Sequence, residues 1–561
     1  MIKNKKISQN KINTILNYLT KNNLRVFLVL LLWGLAIYIN VLKGPMFFDD
    51  EHFIQKNKYV HHLDIKKIYT TSVTQGANMS DNFYRPNQQL VFSIIYQIVG
   101  ELSWPYHLVS LLFHVLNTFC IYLIINYLGL SKKSSLIGAL LFLVHPIQTE
   151  AVSYISGLAD PLGLFFMLSG LIHLLKSLKE QDIKKSLYFK VLSILFFIIS
   201  LFTKENMVVL LPLSILIIII YNIIDKNNYV KKTSTLIYIF ILTIITASYI
   251  LMKFTIFNFS ENKGLTNFSN IYTNNLHIRL LTFISVIWDY IKLIIYPINL
   301  HYEKPYIAYT QLLTWRSIFG FTLIGTTILT LVKIKQQPYL FLSSSWFFAS
   351  LAPYTGIIPL NAMYLEHWLY VPIIGFSFLI AFLFEVYLNK KKYLMYLLLL
   401  LFALYSTRVI IRNEEWADVE KFYNKELKYS KNALRIYNNL GLYYANTAEK
   451  YKNNKKIFYN YNNKAKQYYQ KAISISDVYP QPHHNLGNIY LSEGKIQEAF
   501  NEYIFALSID PNFVYSLVKL YDIYKTTGQL EKAEHILKLV NKIEEGNKIA
   551  FQDIQQILIN Y

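Results

Sequence analysis

Residues 26–51 read VFLVLLLWGLAIYINVLKGPMFFDDE, an apolar run from Val26 to Leu42 that leads into three consecutive acids, Asp49, Asp50 and Glu51. Residues 1–25 carry Lys3, Lys5, Lys6, Lys11, Lys21 and Arg25 and no acid. An apolar segment with one basic flank reads as a first membrane span whose basic side stays cytoplasmic. No small-x-small cleavage site follows, so the segment reads as a retained span and not as a signal peptide. Similar runs recur at about 104–127, 134–145, 160–176, 187–202, 207–224, 234–253, 315–332, 339–353, 368–388 and 393–411. The expected fold is all-α: a polytopic transmembrane helical bundle of about eleven spans over 26–411, with an outer loop at 44–103.

Composition agrees. Of 561 residues 53% are hydrophobic and 16% charged, against roughly 25% charged in an ordinary globular chain. That excludes a soluble enzyme, a secreted domain and a disordered chain. A single cysteine, Cys120, excludes a disulfide framework and a cysteine-ligated zinc site. The 55 basic against 34 acidic residues give +21, which reads as membrane orientation and not nucleic-acid binding, because many lysines sit between apolar runs. With eleven spans, Lys132-Lys133, the Lys176–Lys190 cluster, Lys226 to Lys232 and Lys390-Lys391-Lys392 all lie on the cytoplasmic side. Segments 88–101 and 278–296 are then re-entrant or interfacial. Residues 44–103, 145–159, 203–206, 254–312, 354–367 and everything after 412 share the extracytoplasmic side. The plasma membrane of a prokaryote is the expected location, although abundant Lys, Asn, Ile and Tyr also fit codon bias in an AT-rich genome.

Beyond a connecting helix at 412–434 the chain repeats. Leu486, Tyr490, Gly494 and Ala499 recur as Leu520, Tyr524, Gly528 and Ala533, each 34 residues on. Ala465, Tyr469 and Ala472 precede Ala499, Tyr503 and Ala506 by the same step. That is the tetratricopeptide period, in which small residues let paired helices approach. About three units are expected over 435–540, with an insertion near 450–462 and a C-terminal cap at 541–561. Such a solenoid presents a concave protein-binding groove.

Charges at membrane ends are costly and mark candidate sites. A carboxylate of Asp49-Asp50-Glu51 could act as general base or bind a divalent cation. Tyr84-Arg85-Pro86 places a guanidinium at the end of the same loop. His145, Glu150 and Asp160 cluster near the third and fourth spans, Lys204-Glu205 interrupts two apolar runs, and Glu366-His367 precedes the next-to-last span. Together these suit a phosphorylated, lipid-borne substrate. His107, His114 and Asn117 share a face of the second span and read as interhelical hydrogen-bonding groups.

In order, Asp49-Asp50-Glu51 with Phe53-Ile54 and Asn57, Tyr84-Arg85-Pro86, His145-Pro146-Ile147 with Thr149-Glu150-Ala151-Val152, Lys204-Glu205, Leu369-Tyr370-Val371-Pro372 and the repeat tail resemble the transmembrane-and-tetratricopeptide O-mannosyltransferase-like proteins of the GT-C superfamily. The resemblance implies an enzyme using a polyprenyl-phosphate sugar, with mannose the sugar of the family's name, and with Asp49 or Asp50 as catalytic base. Asp50 is preferred. Glu51, His145, Glu150, Asp160, Glu205, Glu366 and His367 form the supporting polar site. The family commonly has Gly-Arg-x-Asp where this chain has Gly157-Leu158-Ala159-Asp160, and an arginine where it has His367. Donor phosphate binding then rests on Arg85, Lys204 and Arg279. The partners implied are the lipid-linked donor, membrane lipid and an acceptor protein held by the repeats; no nucleic acid is implied. The reading is an inverting transferase, and its alternative a non-catalytic membrane scaffold for envelope proteins.

Overall fold

A computed structural model describes residues 14–79, 81–225, 232–257, 271–304, 307–360, 362–387, 391–544 and 547–559. The described residues are mostly helical, with no strand among them. The basic stretch Lys3 to Lys11, Lys226 and Lys231 of the Lys226 to Lys232 cluster, Lys390, and residues 545, 546, 560 and 561 of the cap lie outside them. The chain divides into two units, Met1–Ala417 and Asp418–Tyr561, whereas the sequence reading put the change of character after 411.

Among the described residues, seven helices of the first unit are long and apolar enough to cross a membrane: Asn23–Lys43, Ser103–Tyr127, Ile155–Lys179, Glu205–Ile224, Thr233–Thr255, Trp315–Val332 and Tyr393–Trp416. The pair Lys132–Val144 and Pro146–Ser153, bent by 51°, makes an eighth if counted as one span. Eleven were expected, and the difference has physical causes. Helices Pro338–Leu351 and Ile373–Val386 have 14 residues each, and at 1.5 Å per residue they are shorter than the ~30 Å hydrocarbon core. Helix Ile183–Leu201 carries Lys184, Lys185 and Lys190. Helix Leu276–Ile295, read from the sequence as re-entrant or interfacial and not counted among the eleven, has the length to span but carries Arg279, Asp289 and Lys292.

Helix Ser103–Tyr127 is the hub, packed against Asn23–Tyr38, Lys132–Val144 and Ala159–Lys179. From Ser134 to Val144 every residue is buried, so this helix is core all round. The polar groups of the hub face other helices. His114 Nδ1 lies 2.9 Å from the Tyr370 hydroxyl, and Asn117 donates to Pro161 O at 2.8 Å. Inside a bilayer such groups must find protein partners.

In the second unit, Leu434–Lys450 pairs with Lys455–Ile475, Pro480–Ser492 with Ile496–Ile509, and Val514–Thr526 with Leu530–Glu544. Leu486, Leu520, Ala465, Ala499, Ala533, Tyr469 and Tyr503 are buried at these joints. Gly494 and Gly528 close the turns of the second and third pairs with φ of +78° and +77°. Only glycine adopts that backbone without steric cost, which is why it recurs with the repeat.

Candidate active site

The three acids after the first span meet three different fates. Asp50 is buried. The Ser156 N–H and hydroxyl donate to its Oδ1 at 2.9 and 2.5 Å, and the Phe47 N–H donates to its Oδ2 at 3.1 Å. Burial pushes its carboxyl up to about 7, against the pull of those donors. Asp49 is half-buried, and its N–H donates to the Tyr154 hydroxyl at 3.0 Å. Glu51 pairs with the exposed Lys56 at 2.5 Å, a contact worth little in water. Phe48, between the first acid and the span, holds φ at +63°. A left-handed backbone costs a bulky residue about 1–2 kcal/mol. Its ring sits edge-on to Tyr302 at 5.0 Å and to Tyr154 at 6.1 Å. Tyr154 in turn stacks on Trp416 at 5.4 Å, so Asp49 and Asp50 lie beside an aromatic wall.

The turn that holds Asp50 also leads to the cations. Ser156 accepts at its backbone O from the Gln88 side chain at 2.8 Å, three residues beyond Arg85. One turn past Ser156, Asp160 pairs with Lys204 at 2.6 Å, both side chains buried. Burial pulls the Lys204 ammonium below its usual value, and Asp160 pulls it back. Arg85 grips Glu205 through Nε and Nη2, each at 3.3 Å. The first loop, the turn at 155–160 and the Lys204-Glu205 link are therefore one connected network.

A second network abuts the first. Glu150 accepts from the His367 N–H at 3.2 Å and lies 2.6 Å from His367 Nδ1. Glu366 accepts from Lys304 Nζ at 2.5 Å and from the His301 N–H at 2.7 Å. Burial raises Glu366, but Lys304 and Arg412 prevail and hold its carboxyl below the usual range. Burial, reinforced by Lys204, holds the His367 imidazole down at about 3. His367 is thus neutral and supplies no fixed positive charge. Lys204, Asp160, Arg85 and Glu366 all lie within its electrostatic reach.

Two residues named from the sequence stand apart. His145 is engaged on both ring nitrogens by backbone, Ile294 O at 2.8 Å and the Ile147 N–H at 3.2 Å. Arg279 donates to the carbonyls of Gly356 (2.5 Å), Thr273 (2.7 Å), Tyr272 and Ile357 (3.4 Å each). Its guanidinium ties two loop segments together, and none of these contacts is to the Arg85–Lys204 network. Leu158 packs in an apolar cluster with Phe53, Ile54 and Leu162. The sequence reading missed Tyr154, Ser156, Tyr302, Lys304, Arg412 and Trp416. Arg412 and Trp416 carried a usable signal, a charged and aromatic cluster at the end of a span, but read as the start of the tail. Among the described residues no three His, Cys, Asp or Glu side chains gather as a metal-holding group.

Comparison with known proteins fits this arrangement. Residues 86–251 match the family described as dolichyl-phosphate-mannose-protein mannosyltransferase, and residues 480–513 match a tetratricopeptide repeat. A protein O-mannosyl-transferase of Caenorhabditis elegans is 26% identical over 434 residues, covering 74% of this chain and 60% of that protein. Protein O-mannosyl-transferase TMTC3 of Mus musculus is 25% identical over 529 residues, covering 85% of this chain and 54% of that protein. Protein O-mannosyl-transferase tmtc2 of Xenopus laevis is 36% identical over 148 residues, covering 25% and 18%. The chain spans a little over half the length of the first two relatives. No solved structure matches it.

Fold and matches describe a helical membrane protein with a tetratricopeptide tail, similar in residues 86–251 to the mannosyltransferase family. Along most of its length it is similar to proteins named as protein O-mannosyl-transferases, among them TMTC3.

Proposed function

We propose that this chain transfers mannose from a polyprenyl-phosphate donor to a protein hydroxyl on the extracytoplasmic side of a membrane, for which the plasma membrane of a prokaryote remains our reading. The observation that carries the proposal is the convergence at 155–160, where one turn binds Asp50, reaches toward Arg85 through Gln88, and pairs with Lys204. Asp49, half-buried beside the aromatic wall, is the base. It takes the proton of the acceptor hydroxyl as that oxygen bonds to the anomeric carbon. The bond from that carbon to the phosphate oxygen breaks, and polyprenyl phosphate leaves with the electron pair, inverting the centre. Arg85 and Lys204 stabilise the charge that develops on the leaving phosphate. Asp50 is the anchor that fixes the loop. The repeats hold the acceptor. A scaffold without catalysis would have no use for buried acids and cations gathered in this way.

The test is transfer by the purified full-length chain in lipid, with synthetic polyprenyl-phosphate mannose and a Ser/Thr peptide. Transfer of mannose to the hydroxyl supports the proposal, and failure with every polyprenyl-phosphate sugar overturns it. In that assay Arg85→Ala weakens donor use by about 1.5–3 kcal/mol, the worth of a charge-assisted contact, read as a 10- to 100-fold loss in kcat/KM. Arg85→Lys recovers only part, because the fork geometry is lost. Unaltered donor dependence in Arg85→Ala would place the phosphate elsewhere.

Topology is tested separately. Reporter fusions after Ala433 should behave as extracytoplasmic and fusions within 226–232 as cytoplasmic. A cytoplasmic tail would remove the acceptor-holding role.

A further inference from the structure

Ser153, Tyr154 and Ser156 occupy one turn and hold three separate elements. The Ser153 hydroxyl donates to Asn413 Oδ1 at 2.6 Å, Ser156 holds Asp50, and the Tyr154 hydroxyl accepts the Asp49 N–H at 3.0 Å. The Tyr154 hydroxyl also shares a hydrogen bond with the Asp49 side chain. Its ring is fixed on the other side. It stacks on Trp416 with planes 19° apart, and meets Phe48 and Tyr302 edge-on at 6.1 and 6.2 Å. Tyr154 itself is only 6% exposed. A phenol so clamped has no freedom to follow a moving loop, so the loop must follow it.

We propose that Tyr154 is the positioning residue for Asp49: its clamped ring and hydroxyl set the direction of that carboxylate toward the acceptor hydroxyl. The inference rests on the reading of Asp49 as base and adds to it the group that aims the base. The left-handed backbone at Phe48 belongs to the same device, since it turns the chain so that residue 49 meets the phenol while the Phe48 ring packs between Tyr154 and Tyr302. The charged and titratable groups in electrostatic contact with Asp49 include Asp50, His52 and Tyr154, with Tyr302 beside Tyr154. Of these, Tyr154 is the one bonded to both the backbone and the side chain of Asp49.

The test is the rate–pH profile of mannosyl transfer by the full-length chain in lipid, for the parent, Tyr154→Phe and Asp49→Asn. Phenylalanine keeps the stack on Trp416 and removes the hydroxyl. A hydrogen bond to a carboxylate favours its ionised form, so losing it moves the acid limb of the profile to higher pH by about one unit and lowers kcat about tenfold. KM for the donor stays within about twofold, because binding of the leaving phosphate is untouched. Fluorotyrosine at 154 preserves size and fold and is a stronger hydrogen-bond donor, so it moves the same limb to lower pH. An acid limb that stays put in both variants overturns the proposal even if kcat falls, since a purely structural tyrosine would give that result. Parent-rate transfer by Asp49→Asn is a different failure: it removes the base itself, and the Tyr154 proposal with it.

Discussion

Asp49→Asn lowers the rate of sugar transfer by about 10²–10⁴-fold, the range that accompanies loss of a general base. Asparagine keeps the size of the side chain, and the backbone N–H that bonds Tyr154 is untouched, so the protein remains folded. Asp50→Asn behaves otherwise. Three donors converge on the Asp50 carboxylate, and an amide can accept them at only one of its two ends. One donor is left facing an NH₂ group, which costs about 1–3 kcal/mol of stability, while the folded fraction transfers sugar at close to the parent rate. The pH dependence separates them further. The folded-state value for Asp50 is raised to about 7, so folding favours its protonated form. Its contribution is fully present below the ordinary carboxylate range and is lost as pH rises through about 7. The Asp50→Asn protein lacks that component, and its melting temperature varies less between pH 4 and 7 than the parent's. Rates and melting curves of the two variants, measured on monodisperse protein, decide the assignment. A dead Asp50→Asn beside an active Asp49→Asn would reverse it.

Lys304→Ala produces the largest loss of stability, about 3–5 kcal/mol, because it strips a buried carboxylate of its counter-ion. The Lys304 and Glu366 side chains are 1% and 0% exposed, at 2.5 Å. Glu366 also lies against Glu150 electrostatically, so removing Lys304 leaves Arg412 facing both acids without the cation that is hydrogen-bonded to Glu366. Pairing Lys304→Met with Glu366→Gln removes both charges at once and recovers most of the loss. Thermal unfolding in detergent reads both effects. A Lys304→Ala protein that melts with the parent would mean that water reaches this pair and that it is not a buried ion pair at all.

The helical class, the repeat period and the tail were legible because they are written in local spacing. Leu486 and Leu520 stand 34 residues apart whatever the rest of the chain does. The span number was less legible, since apolar runs such as 339–353 and 368–388 look alike whether they cross a membrane or stop partway as helices of 14 residues. At the site, sequence pointed to acids and cations at membrane ends, and the structure brings Asp50, Asp160, Lys204, Arg85 and Glu205 into one network. The sequence reading preferred Asp50 as the base, whereas our proposal takes Asp49, because the burial of Asp50 on Ser156, more than a hundred residues away, could not be read from the sequence. Lys304 was invisible for the same reason: nothing in its own neighbourhood says that Glu366 will be there. His145 and Arg279 show the converse, conspicuous residues whose polar atoms the fold engages with its own backbone.

The helix Tyr393–Trp416 does not stop where its apolar stretch does. Its last residues bring Arg412 within reach of Glu366, Asn413 to Ser153 and Trp416 to Tyr154. Anyone who shortens this chain to learn what the repeats contribute must therefore choose the stop codon with care. A truncation after Ile411, the natural choice from hydropathy, deletes six residues of the first unit and would be scored as proof that the tail is essential. A truncation after Ala417 leaves that unit whole, and only its phenotype reports on the repeats.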